Sequence, residues 1–276
     1  DGVPVADSIF GRDPFEPVTA SSVAEIIAAQ SQTPVVLHPP AERETSPGIH
    51  VYDAETDGDL LGLGQMLGRE GLTLCAGCAG FASVLAEMLE LNGEAPPFPS
   101  LVPALFVACG SVNPVTLRQM ETAEAAGFPR VHLSPFQKLE TSWPETPDCA
   151  AAITSWLKTA EREGRFILDV NDPPGRDDTE NYAKEHGLTT EDLRVRISNQ
   201  LGRLVRQMLD GGLDATILCT GGDTLLALAR ILGVSELTPV CELDAGAVLT
   251  DFMYHGKTYH IISKSGGFGE PDLFVR

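Results

Sequence analysis

Short apolar runs that end in clusters of small residues recur along the chain, and they constrain its fold more than any other feature. Four junctions stand out: "CAGCAG" after Leu74, "CGS" after Ala108, "CTGGDT" after Leu218 and "KSGGFG" after Ser263. The first three lead into stretches with apolar residues at helical spacing. Repeated feeding of a strand into a helix is the pattern of a parallel sheet covered by helices. The chain is therefore expected to be α/β, with two α/β domains whose sheets are largely parallel.

The elements follow from periodicity and end signals. Through about Pro47 the chain is Pro-rich and polar, with one helix expected at Ser21–Gln30 and a capping box between Ser22 and Glu25. "GIHVYDA" predicts a strand, "TDGDLLGLGQMLGRE" a helix, "LTLCAG" a second strand and "AGFASVLAEMLELNG" a second helix. A Pro-rich break at Gly93–Pro103 marks the expected boundary, giving domains at 1–98 and 99–276. Beyond it, "ALFVACGS", "RVHLSP", "RFILDV", "ATILCTGGD", "PVCELD" and "AVLTDFMYHGKTYHIIS" supply strands. Helices are expected at "NPVTLRQMETAEAAG", at 150–163, at "LTTEDLRVRISNQLGRLVRQMLDGG" with Thr190 as its cap, and at "TLLALARILG".

Charge and cysteine content exclude whole classes of function. A formal charge of −20 over 276 residues argues against a nucleic-acid surface, which draws its affinity from Lys and Arg. A phosphorylated ligand would instead be held locally, by amides, a helix N-terminus, one or two cations or a metal. No apolar run approaches the ~20 residues needed to span a bilayer, and no signal peptide opens the chain, so a cytoplasmic location is expected. The six cysteines, Cys75, Cys78, Cys109, Cys149, Cys219 and Cys241, read as buried reduced thiols. "CAGC" has C-x-x-C spacing, but no second pair and no nearby His accompany it, so no metal site is expected.

In open α/β sheets ligands collect beyond the carboxyl ends of the strands, where these junctions lie. In "TGGDT", the amides of Gly221, Gly222 and Asp223 open a helix and can face a phosphate. Asp223 there needs an intervening Mg2+, a ribose or base partner, or a role as a simple N-cap. "KSGGFG" offers Lys264 as a point charge and Gly266, Gly267 and Gly269 as places of close backbone approach, without being a P-loop. "CGS" adds the Ser111 hydroxyl. His132, His255 and His260 read as structural or exposed, and "DVNDPPGRDD" (Asp169–Asp178) as a solvated acidic loop or a cation site.

Taken in order, "CAGCAGF", "ALFVACGSVNPVTLRQ", "LCTGGDTLLAL" and "KSGGFGEPDLF" resemble the four-carbon acid sugar kinase family. The resemblance implies a two-domain enzyme that phosphorylates threonate, erythronate or 3-oxo-tetronate type acids with ATP and Mg2+. It places ATP on Ser111, on Gly221, Gly222, Asp223 and Thr224, and on Gly266 and Gly267, with Lys264 as a phosphate partner. Gly246 of "ELDAGAV" matches the family's glycine-proline turn beside adenine or ribose, with Ala245 in place of the proline. The partners implied are a small sugar acid and a homodimer mate, with no nucleic acid or membrane.

Family members also open on an Asp-Asp-x-Thr-Gly-Ala motif and carry an Arg-containing segment ahead of the part matching "DGVPV", and neither occurs in this sequence. The chain starts at Asp1 and Gly2, and is expected to be the C-terminal portion of the enzyme. No catalytic base is identified; Asp53 and Asp57 are the carboxylates that would substitute for it. Two other readings stand beside the kinase: a nucleotide-binding module without catalysis of its own, and a dinucleotide oxidoreductase, which the lack of a G-x-G-x-x-G unit disfavours. The kinase reading expects Lys264→Ala to weaken nucleotide binding at little cost to folding.

Overall fold

A computed structural model describes residues 2–12, 17–39, 42, 46–91, 93, 94 and 97–276. They group into two units, Asp1–Glu94 and Ala95–Arg276. Asp1, and Ala95 and Pro96 of the Pro-rich break, lie outside the described residues.

The first unit contains α1 (Val23–Ala28), β1 (Val35–His38), β2 (Ile49–Tyr52), α2 (Asp57–Gly71) and α3 (Ala79–Met88). β1 and β2 pair in parallel from Val35↔Ile49 to His38↔Tyr52. Sequence periodicity misses β1, because four residues bracketed by prolines are too short to show a pattern. Thr56 caps α2 in a reciprocal box with Asp59. Ser22 precedes α1 but accepts no amide through its hydroxyl, so the expected box with Glu25 does not close.

"LTLCAG" is not a strand. A strand needs a hydrogen-bonded neighbour and a face to bury, and this segment has neither among the described residues: Leu74 is 94% exposed. Cys75 and Cys78 are exposed with it, against the expectation of buried thiols, whereas Cys109, Cys149 and Cys219 are buried. Burial pushes the Cys149 thiol up to about 11 and Cys219 up to about 12.

The second unit runs β3 (Leu105–Cys109), α4 (Pro114–Ala125), β4 (Arg130–His132), α5 (Pro135–Leu139), α6 (Pro147–Glu163), β5 (Arg165–Asp169), α7 (Asp178–His186) and α8 (Thr190–Asp210). It continues with β6 (Thr216–Thr220), α9 (Gly222–Leu232), β7 (Thr238–Asp244), β8 (Ala247–Tyr254) and β9 (Lys257–Lys264). The cap of α8 is Thr189, one residue before the expected Thr190, because Thr189 is the extended residue whose hydroxyl accepts the Asp192 amide. The sheet has the order β4-β5-β3-β6-β9-β8-β7. Its first five strands are parallel, and the β7–β8–β9 meander closes one side antiparallel.

Alternation along the strands builds a core on each face. Phe106, Ala108, Phe166, Leu168, Ile217 and Cys219 face Trp156 of α6, Leu201, Leu204 and Met208 of α8, and Leu228 of α9. Val107, Cys109, Ile167, Leu218, Leu249 and Ile262 face Met120 and Ala123 of α4 together with Phe274. Helix α4 thus lies on the opposite face from α6, α8 and α9, beside the segment that follows β9. Among the described residues no helix is long and apolar enough to cross a membrane.

Candidate functional site

The parallel register aligns the carboxyl ends of the strands in one row. His132 pairs with Asp169, Asp169 with Cys109, Cys109 with Thr220, and Thr220 with Lys264. Ala247 at the start of β8 pairs with Lys264 and brings the β7–β8 turn alongside. Residues 110–113, 221–224 and 265–269 therefore leave the sheet at one level, where an α/β fold collects its ligands.

These loops touch. The Gly110 amide donates to the Thr220 carbonyl at 3.2 Å, and the Ser111 amide to the Thr220 hydroxyl at 3.4 Å. A Cβ on Gly266 would lie 3.0 Å from Ser111 Oγ. The Ser265 amide donates to the Gly246 carbonyl at 2.8 Å, and Gly246, at φ +72°, lies under Phe268, whose ring atoms would meet a Cβ there at 2.8 Å. Ser111, Gly221, Thr224, Gly246, Lys264 and Gly266 are thus brought together across more than 150 residues of sequence, with Gly222, Asp223 and Gly267 in the same turns.

The backbone at this place is rich in unused donors. No side chain caps α9, whose N-cap is Gly221 at φ +92°. The amides of Gly222, Asp223 and Thr224 find no acceptor among the described residues, nor do those of Gly266 and Gly267. Asp223 is not the N-cap; it sits inside the first turn and receives Arg194 of α8 at 2.7 and 3.2 Å. That hydrogen bond, ahead of the Coulombic attraction of the same guanidinium, holds the Asp223 carboxyl below the usual carboxylate range. The charge conflict seen in the sequence is met by an arginine from another helix.

Lys264 is placed differently from an exposed point charge. It is 3% exposed, and its Nζ donates to Thr116 Oγ1 at 2.9 Å and to the Gly266 carbonyl at 3.0 Å. Burial pulls its pKa down to about 8. Truncating it therefore removes packing and two hydrogen bonds, contrary to the expectation that folding would be little affected.

Sequence reasoning missed the residues that hold the row together. Asp169, fully buried, accepts Arg130 Nε and Nη2 at 3.0 and 2.7 Å through one oxygen, and the amide and Nδ2 of Asn171 through the other. Asn171 Nδ2 also donates to the Ser111 carbonyl at 3.1 Å, bracing β5 against the loop after β3. Asp172 accepts Lys138 Nζ at 2.7 Å and both donors of Thr179. The start of "DVNDPPGRDD" is thus built into the fold rather than solvated, while Arg176 pairs with Asp178 at its exposed end. The available signal was the lone Lys138 and Arg130 at positions next to apolar runs.

His132 Nδ1 donates to the Asn171 carbonyl at 2.9 Å, and His260 pairs with Asp251 at 2.6 Å. His255, at φ +48°, forms the β8–β9 turn with Gly256. In the first unit, Asp53 and Asp57 are exposed, just after β2 and at the start of α2. Among the described residues no cluster of three or more His, Cys, Asp or Glu side chains could hold a metal ion.

Residues 106–274 match the family described as a nucleotide-binding C-terminal domain, and residues 1–85 the one described as a sugar-binding N-terminal domain. The chain is similar to the D-threonate kinase of Salmonella typhimurium, 26% identical over 98% of this chain and 66% of that protein. It is similar to the 3-oxo-isoapionate kinase of Paraburkholderia graminis, 28% identical over 73% of this chain and 44% of that protein. The D-erythronate kinase of Heliobacterium modesticaldum is 25% identical over 98% of this chain and 65% of that protein. The chain spans less than two thirds of the length of these relatives. A solved structure from Salmonella typhimurium LT2 shares the fold with a TM-score of 0.73 at 18% identity, over 98% of this chain and 65% of that one. A second, from Haemophilus influenzae, does so at 0.62 and 17%, over 98% of this chain and 66% of that one.

Proposed function

Since the chain belongs to the four-carbon acid sugar kinase family, we propose that its C-terminal unit binds ATP where residues 110–113, 221–224 and 265–269 meet. The bound nucleotide serves phosphoryl transfer to a hydroxyl of a small sugar acid of the threonate, erythronate or 3-oxo-tetronate class. The observation that carries this reading is the set of amides at Gly222, Asp223, Thr224, Gly266 and Gly267, which find no acceptor among the described residues, in turns that meet the loop of Ser111. Amides at a helix N-terminus and in a glycine loop are the usual grip on phosphate oxygens.

In this arrangement the first turn of α9 and the 265–269 loop hold the phosphates from two sides. Ser111 adds a hydroxyl, the Gly246 turn borders the ribose or base, and the buried Lys264 supplies positive charge beneath the loop. Arg194 keeps the Asp223 carboxylate from repelling the ligand. ATP with Mg2+ supplies the phosphoryl group and neutralises its charge. Mg2+ ordinarily keeps several waters and relies on phosphate oxygens, so it needs no dedicated cage of side chains.

Calorimetric titration with ATP and Mg2+, with NADH as the control, tests the reading. Saturable ATP binding and no NADH binding is expected; absence of ATP binding would overturn it. A coupled assay over a panel of four-carbon acids then tests transfer.

A further inference from the structure

Helix α4 turns two polar residues, Thr116 and Gln119, onto its buried face alongside Met120 and Ala123, and both are fully buried. Apolar residues at these positions would suit a helix packed on a sheet. We propose that Thr116 and Gln119 are positioning residues that, with Lys264, set the 265–270 loop in its ligand-binding shape before nucleotide arrives. The inference rests on the nucleotide reading above.

Thr116 Oγ1 accepts from Lys264 Nζ and donates to the Gly266 carbonyl, each at 2.9 Å, and Lys264 Nζ donates to that same carbonyl at 3.0 Å. The three groups close a ring of hydrogen bonds. Gln119 Nε2 donates to the carbonyls of Phe268 and Glu270 at 3.1 and 2.9 Å. The carbonyls of three alternate residues, 266, 268 and 270, are thereby drawn down onto α4. A carbonyl oxygen is a negative dipole end, and each one tied to the helix is one fewer facing a phosphate. The amides of Gly266 and Gly267 are left without acceptors among the described residues.

Gln119 also carries a cost that a purely structural residue would not retain: its Oε1 is buried and has no partner among the described residues. An unsatisfied buried acceptor destabilises the fold. Leucine would remove it, so the amide is kept for its two donors. Gly269, at φ +86°, lets the loop pass close over this side chain, since a Cβ there would stand 3.1 Å from Gln119 Nε2.

The test compares the wild-type chain with Thr116→Val, Thr116→Ser and Gln119→Leu by ATP calorimetry, thermal unfolding and hydrogen exchange. Thr116→Val is expected to weaken ATP binding and speed exchange at residues 265–270 by about tenfold, the worth of about one hydrogen bond. Thr116→Ser, which keeps the hydroxyl, is expected to restore both. Gln119→Leu is expected to weaken ATP binding while leaving the melting temperature unchanged or higher, a separation that a structural role would not produce. Unaltered ATP affinity in Thr116→Val and Gln119→Leu would overturn the proposal, whatever their stability. If wild type itself fails to bind ATP, the nucleotide reading falls. Unchanged exchange at 265–270 in Thr116→Val would separately overturn the anchoring.

Discussion

The hydroxyl of Thr224 stands where a side chain on Gly110 would begin: a Cβ at Gly110 would lie 1.8 Å from Thr224 Oγ1. The end of β3 and the first turn of α9 are packed backbone against side chain, so the glycine of "CGS" and the threonine of "TGGDT" are one feature. Gly110→Ala is expected to displace both turns, costing about 1–3 kcal/mol, as overpacking does, and to weaken ATP binding. Adding Thr224→Ala should recover part of the stability. Urea unfolding of the single and double variants measures it, and equal loss in both would refute the link.

Arg194 and Asp223 make the next case. Their pair is partly exposed, and such pairs contribute about 0–1 kcal/mol to folding, so Arg194→Ala should unfold at nearly the wild-type urea concentration. Its effect belongs to the ligand: with the guanidinium gone, the Asp223 carboxylate faces the phosphates alone. ATP affinity is expected to fall in Arg194→Ala and to return in Arg194→Ala with Asp223→Asn. Calorimetry of both variants decides this, and equal affinity across the series would remove the neutralising role.

Lys264 predicts opposite pH trends for folding and binding. Its folded pKa of about 8 lies below the ordinary lysine value of 10.5, so between these values the unfolded chain binds the extra proton. This group's contribution to stability therefore rises with pH across that window, because the folded state no longer buries a charge. ATP affinity should fall as pH rises through about 8, where the folded state loses this cation. Urea midpoints of wild type minus Lys264→Met, at about pH 7 and about pH 10, are expected to move upward; a flat difference would mean that Lys264 titrates normally.

The Asp169–Arg130 pair is buried on both sides, with side chains 0% and 4% exposed. Arg130→Met would strand the carboxylate, and breaking such a pair costs about 3–5 kcal/mol. Asn171 links Asp169 to the Ser111 carbonyl, so slackening at residues 110–113 should follow. Thermal unfolding and exchange at 110–113 are the measurements, and an undisturbed loop in a destabilised variant would sever that link.

What the sequence determined by itself were the elements whose signals are local. Continuous apolar runs marked β3, β5 and β6, helical spacing behind a Pro marked α4, and glycines after strands marked the loops that meet at the site. The same local rules failed where an outcome depended on a neighbour. "LTLCAG" has the composition of a strand yet no strand beside it, and β1 forms between prolines because Ile49–Tyr52 lies alongside. Lys264 could be read as a phosphate contact from its loop alone, but only the fold put Thr116 and the Gly266 carbonyl around its ammonium. The partner of Asp223 likewise comes from 29 residues away, and that of Asp169 from 39. Hydrogen-bond propensity and periodicity act within a few residues of chain, whereas burial and ion pairing are decided by whichever element the sheet order places next door. The tertiary structure alone settled which charges are neutralised and which amides remain unused.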